Sequence, residues 1–205
     1  MIVKALLNNS NLYKPFMKQG LIIFIALGIS CSPLRHLEKV VATIGPIPPI
    51  QVMGGPIVDP AANDPVHFSS YFQKALLFEI GQLGIQVSPT NAGNTVKEPT
   101  YIQMEVAGIH VQDNRPPLEP GGMSTALPGP AIQLMMMGGF NSYDKKGEPI
   151  SFRDHFSYDL PHQELATLIR EDPNADPVLA VLDRAAKAYA LQFQEQLLAH
   201  IKENR

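Results

Sequence analysis

The chain has a single cysteine, no tryptophan and few aromatic rings, which make up 7% of its 205 residues. One cysteine excludes an intramolecular disulfide and any zinc site built from several thiolates. Charge is scarce at 17% and unevenly placed. Residues 1–30 hold Lys4, Lys14 and Lys18 and no acid, so residues 31–205 carry thirteen basic against nineteen acidic side chains, a formal −6. Phosphate backbones are held by clustered Lys and Arg, so an acidic body argues against a nucleic-acid partner. Catalytic signatures are missing as well: there is no Gly-x-Ser-x-Gly, no His-Glu-x-x-His and no phosphate loop. The expectation is a protein that is not an enzyme and uses no cofactor. What the chain has in quantity is proline (nineteen) and glycine (fifteen), the marks of long irregular connections. With 45% hydrophobic residues it can fill one core, and it is too short for two full domains.

The one long apolar run, Leu21 to Ile29, is preceded by Lys18 and followed by small residues. It is much shorter than the ~20 residues of a membrane-spanning helix, and Pro33 and Arg35 close it. A basic start, a short apolar middle and a small-residue exit describe a secretory signal peptide. A compact signal begins at Met17, the expected true start, because residues 1–16 add polar length that export does not need. Gly28-Ile29-Ser30-Cys31 resembles the lipobox of bacterial lipoproteins. That resemblance implies lipidation of Cys31 by acyl chains such as palmitate, with Cys31 as the new N-terminus. Ser32, in place of Asp, implies export to the outer membrane. The chain then divides into a signal (1–30), a lipidated cysteine with tether and first strand (31–64), and the remainder of a single periplasmic domain (65–205).

Val40 to Ile44 is a β-branched strand candidate. Pro46, Pro48, Pro49, Pro56 and Pro60 forbid regular helix after it and confine any strand there to an edge. Asp64-Pro65 reads as a helix N-cap with proline in the first turn. Phe68, Tyr71, Phe72, Ala75, Leu76 and Leu83 recur at helical spacing, which predicts a helix over 65–83, stopped by Gly84 and followed by a strand at Ile85-Gln86-Val87. Alternation over 101–112 puts Ile102, Met104 and Val106 on one side, slips at Gly108 as a bulge would, and resumes with Ile109 and Val111. A second long strand covers 131–143, Asp144 to Gly147 turns the chain, and Ile150, Phe152, Phe156 and Tyr158 alternate on the return strand. A short helix over 161–171 and a long one, capped by Asp176 and running to about Glu203, close the chain. The fold class is α+β: an antiparallel-rich sheet with a long strand meander and helices packed on one face. This order of elements resembles small envelope-assembly and transport-auxiliary lipoproteins, among them the lipopolysaccharide-assembly lipoprotein and lipoproteins of secretion-system complexes.

Candidate sites are few. His155, His162 and Glu164 form the only local cluster with metal-binding residue types, and surface histidines are the simpler reading, so no metal is expected. Asp154 interrupts an apolar strand face and is a candidate buried acid that would meet a donor on a neighbouring strand, though a satisfied edge residue is the simpler reading. Met135-Met136-Met137 is the most unusual stretch: consecutive thioethers on a strand alternate faces, which speaks against a metal. They either fill the core or give an adaptable apolar surface. With Ile132, Leu134, Met136 and Phe140 turned to the helices, Met135 and Met137 fall on the other face beside Gln133, Asn141 and Tyr143. Residues 113–130 form a long proline-rich loop carrying Leu118, Met123 and Leu127. Met135, Met137, Leu118, Met123 and Leu127 are thus the expected partner-binding residues. The functional expectation is a non-enzymatic outer-membrane lipoprotein facing the periplasm. It would contact the membrane through its lipid anchor and other envelope proteins as a structural or assembly subunit of a secretion or transport complex. The alternative is a lipid- or lipopolysaccharide-handling auxiliary of an envelope transporter.

Overall fold

The computed structural model describes residues 40–55, 64–89, 100–115 and 129–203. The signal segment, Cys31 and the loop residues Leu118, Met123 and Leu127 lie outside the described residues. In chain order the elements are β1 (Val41–Ile44), β2 (Gln51–Gly54), α1 (Pro65–Gln82), β3 (Gln86–Pro89), β4 (Tyr101–Asp113), β5 (Ile132–Tyr143), β6 (Pro149–Leu160), α2 (His162–Glu171) and α3 (Pro177–Glu203). They form one mixed sheet in the order β3-β1-β4-β5-β6, with β2 also paired to β4. The class is α+β, with the meander β4-β5-β6 antiparallel throughout.

The sequence signals act where they were read. Asp64 accepts from the backbone N–H of Val66 at 2.9 Å and of His67 at 3.2 Å, and so starts α1. Asp176 does the same for α3 through Val178 N–H at 2.8 Å. Gly84 and Gly147 both sit at φ 79°, the left-handed conformation that a helix exit and this hairpin turn require.

Parity on β4 depends on the bulge. Ile102, Met104 and Val106 point to the helices, and strict alternation would next bury Gly108 and His110. The register shift between Val106 and Gly108 inserts Ala107 and returns Ile109 and Val111 to the core side. The bulge lies at the same level as the break between β1 and β2. Both strands run parallel to β4, β1 against Tyr101–Met104 and β2 against His110–Asp113, so they are two halves of one interrupted strand. The parallel β1–β3 and β1–β4 pairings follow from a helical crossover, which local alternation does not reveal.

The core lies between the inner sheet face and the helices α1 and α3. Phe68, Phe72, Leu76 and Ile80 descend from α1. Val181, Leu182, Ala185, Ala186, Tyr189, Phe193 and Leu197 descend from α3. Small buried residues flank Tyr189 on α3 (Ala185, Ala186 and Ala190), and the helix comes close to β5 at Gly138. A Cβ there would stand 2.6 Å from the Tyr189 hydroxyl. Burial, joined by the charge of Asp154, pushes the Tyr189 phenol up to about 12. Phe140 is the hub of the next layer. It stacks on Phe152 with centroids 5.3 Å apart and meets Phe193 and His200 edge-on at 5.9 and 5.5 Å. Among the described residues no helix is long and apolar enough to cross a membrane.

Asp154 does stand on the helix-facing side of β6, but its donors differ from the expected ones. They come from α3 rather than from a strand: Gln192 Nε2 and Gln196 Nε2 both donate to Oδ2, the latter at 2.5 Å. One turn separates the two amides, so a helix supplies two donors where a strand neighbour would supply one.

Two outcomes follow from this packing. Phe193 is fully buried, so Phe193→Ala is expected to cost about 3–5 kcal/mol in chemical denaturation, against under about 0.5 kcal/mol for exposed Glu195→Ala. His200 is 8% exposed, and burial holds its imidazole below the ordinary histidine range. The unfolded chain then binds the proton more readily, so the neutral imidazole's full contribution is present above pH ~6.5 and is lost as pH falls toward the depressed folded value. The melting temperature of His200→Leu relative to the parent chain should therefore rise between pH 7.5 and 5. A difference that does not vary with pH would contradict this.

Candidate functional site

Because side chains alternate at period two, each apolar residue that β5 sends to the helices commits its neighbours to the opposite face. That face carries no helix among the described residues. The strand register lines its side chains into rows running across β2, β4, β5 and β6. One row is Gly108–Met137–His155, and the next is Gln51–His110–Met135–Ser157. Beyond them lies Met53–Gln112–Gln133–Asp159 on one side and Glu105–Gly139–Arg153 on the other.

Apart from Met53, the rows at the ends are polar, and most of their groups pair with one another. Arg153 pairs with Glu105 at 2.9 Å across Gly139, on the strand between them. A Cβ on Gly139 would collide with the backbone oxygen of Phe152, so only glycine fits under this bridge. Asn141 Nδ2 donates to Glu105 at 2.7 Å, and Ser151 Oγ donates to Asn141 at 2.5 Å. At the other end Gln133 Nε2 donates to Asp159 at 2.7 Å. Buried Asp113 closes the end of β4. Arg115 forks onto it, with Nη2 at 2.6 Å, and Gly55 lies against its carboxylate.

Between these polar bands the face sinks into a groove of about 720 Å³ lined by Pro49, Met53, His110, Met135, Met137 and His155 among others. Met137 is 45% exposed and Met53 43% exposed, while Met135 is half-buried. Apolar side chains at the centre with self-satisfied polar groups at the rim is the anatomy of a binding surface. A one-sided sheet with no partner would present polar residues here. The lining has no carboxylate, and among the described residues no group of three His, Cys, Asp or Glu could hold a metal ion.

Of the residues singled out in the sequence, Met135 and Met137 lie together on this open face as expected. Met136 is buried beneath them. His155 lies on the same face, whereas His162 opens α2 and Glu164 pairs with Arg184 of α3 at 2.7 Å, so that cluster does not assemble. Met53, in the proline-rich segment, and His110, on the far strand, were missed. Nothing local marks Met53, and His110 acquires its neighbours only through the β4–β5 register.

A second depression, about 540 Å³, runs between α1 and α3 beside Phe78, which is 63% exposed. It is bridged by the Tyr71 hydroxyl donating to Asp183 at 2.8 Å.

No family model and no curated protein matches the chain. Among solved structures, a minor lipoprotein from Acinetobacter baumannii is 13% identical, with 78% of this chain and 94% of that one covered and a TM-score of 0.30. A homolog of neuraminyllactose-binding hemagglutinin from Helicobacter pylori is 11% identical, with 82% and 88% covered and a TM-score of 0.40. Overlaps of this extent leave function to be argued from the residues themselves.

Proposed function

We propose that the chain is a non-enzymatic bacterial lipoprotein, anchored through Cys31 in the outer membrane and facing the periplasm. Its folded part serves as a structural or assembly subunit of an envelope complex. The observation that supports this reading is the thioether groove on the sheet face opposite the helices. Met53, Met135 and Met137 expose apolar area that water disfavours by about 25 cal/mol per Å², and flexible thioethers adapt to whatever covers them. The rim side chains hydrogen-bond among themselves, so a partner can seat on the centre without stranding polar groups.

A second reading has its own support. The groove's volume falls within the range of small-ligand sites, about 300–1,000 Å³, which suits an auxiliary that handles lipid or lipopolysaccharide.

Two experiments separate these readings. Recovery of the chain with its envelope complex through a C-terminal tag should be lost in Met135→Ser/Met137→Ser while the melting temperature stays within a few degrees of the parent. Unchanged recovery would remove the groove from the assembly role, and lipid released from the purified protein and detected by mass spectrometry would move the assignment to lipid handling. Anchoring is tested separately. Each buried methylene contributes ~0.8 kcal/mol, so a chain carrying two or more acyl groups stays in the membrane. Cys31→Ser should abolish fatty-acid incorporation and leave the precursor unprocessed. Continued incorporation would refute lipidation at this residue.

A further inference from the structure

The groove has a chemistry apart from its apolarity. Met135 and Met137 are two residues apart on one strand and project from the same face. Each has an imidazole as its directly opposite neighbour: His110 of β4 faces Met135, and His155 of β6 faces Met137. Directly opposite residues in an antiparallel pair have Cβ atoms about 4.5–5.5 Å apart. The two methionines are separated along β5 by about 7 Å, twice the strand rise. Three rotatable bonds let each thioether lean over that gap. Among the described residues neither imidazole makes a side-chain hydrogen bond or ion pair, whereas Glu105, Arg153 and Asn141 in one flanking row and Gln133 and Asp159 in the other are committed to one another.

From this donor set we infer that the groove binds a soft monovalent cation, copper(I), between the sulfurs of Met135 and Met137, with His110 and His155 closing the site from either side. Thioethers select copper(I) among the biological metals, and imidazole is compatible with it. The charge balance points the same way. The lining holds no carboxylate or thiolate. The nearest acids are occupied, Glu105 by Arg153 and Asn141, and Asp159 by Gln133. Neutral ligands do little for a hard divalent ion, which needs oxygen anions, and suit a polarizable ion of single charge. Met53 lies at the margin of the same groove, beyond the His110 row. The alternation of faces that removes Met136 from such a site leaves the other two thioethers together.

This inference does not depend on a protein or lipid covering the groove, and its test keeps the two apart. The full chain in detergent is titrated anaerobically with copper(I) against bicinchoninate, a coloured copper(I) chelator. The parent chain should withhold one equivalent from the chelator and take up no zinc(II) of similar affinity. Met135→Leu/Met137→Leu keeps apolar volume, so folding and recovery with an envelope complex should persist. Its copper(I) affinity should fall by at least the on-the-order-of tenfold that outer-shell changes alone produce. The variant retains Cys31 and the other methionines, so any loss belongs to this pair. His110→Gln/His155→Gln, altered only at surface positions, supplies a second variant and should also weaken binding. A parent chain that withholds no copper(I), or a double-leucine variant that binds as tightly as the parent, overturns the site.

Discussion

The contact between Tyr189 and Gly138 sets the distance between the long C-terminal helix and the sheet. The phenol stands where any larger side chain on β5 would be, and its ring packs on Phe156 with centroids 5.2 Å apart. With α3 held this low, Phe193 and His200 reach Phe140 farther along the same strand, and the two glutamines reach Asp154. A close-packed interior transmits such a constraint because it has no slack to absorb it. The side of β5 that faces away is then fixed as well, since period-two geometry leaves no freedom once the inner residues are seated.

Adjacent glycines in β5 divide the work between the two faces. Gly138 admits the helix tyrosine, and Gly139 admits the Glu105–Arg153 bridge over its other side. Glycine weakens a strand interior by giving up packing and ordering entropy. Here an alanine would meet the Tyr189 ring at one position and the backbone of β6 at the other, so both glycines are required by close approach. The bridge itself is half-exposed and contributes little to stability. Its effect is to bind Glu105 to a fixed partner at the border of the groove.

Much of this was legible in the sequence because it rests on local rules. Helix caps at Asp64 and Asp176, the turn at Gly147 and the slip of alternation at Gly108 each follow from a few neighbouring residues. So does the division of Met135, Met136 and Met137 between two faces. What was not legible depends on contacts distant in the chain. The short strand β2 hides among prolines, and its pairing with β4 places Met53 beside residues some sixty positions later. Donors for Asp154 come from a helix 38 and 42 residues on. The pairing of His110 with Met135 is a property of register, which no periodicity within either strand encodes.

The interrupted strand β1–β2 bears on the order in which the molecule assembles. The hairpin between β5 and β6 closes over a turn at Asp144 to Gly147, whereas Val41 must find Tyr101, sixty residues away. Closing a long loop costs more chain entropy than closing a short one, and non-local pairings form late for that reason. The meander with α3 laid across it is the part that can nucleate alone, and β1 and β2 dock onto the edge of a β4 already in place. As the N-terminal pieces of the fold, these are also the strands next to Cys31. The strand nearest the proposed anchor is therefore among the last to lock, and because β1 lies between β3 and β4, pulling on that end would draw out an inner strand and part β3 from the rest of the sheet.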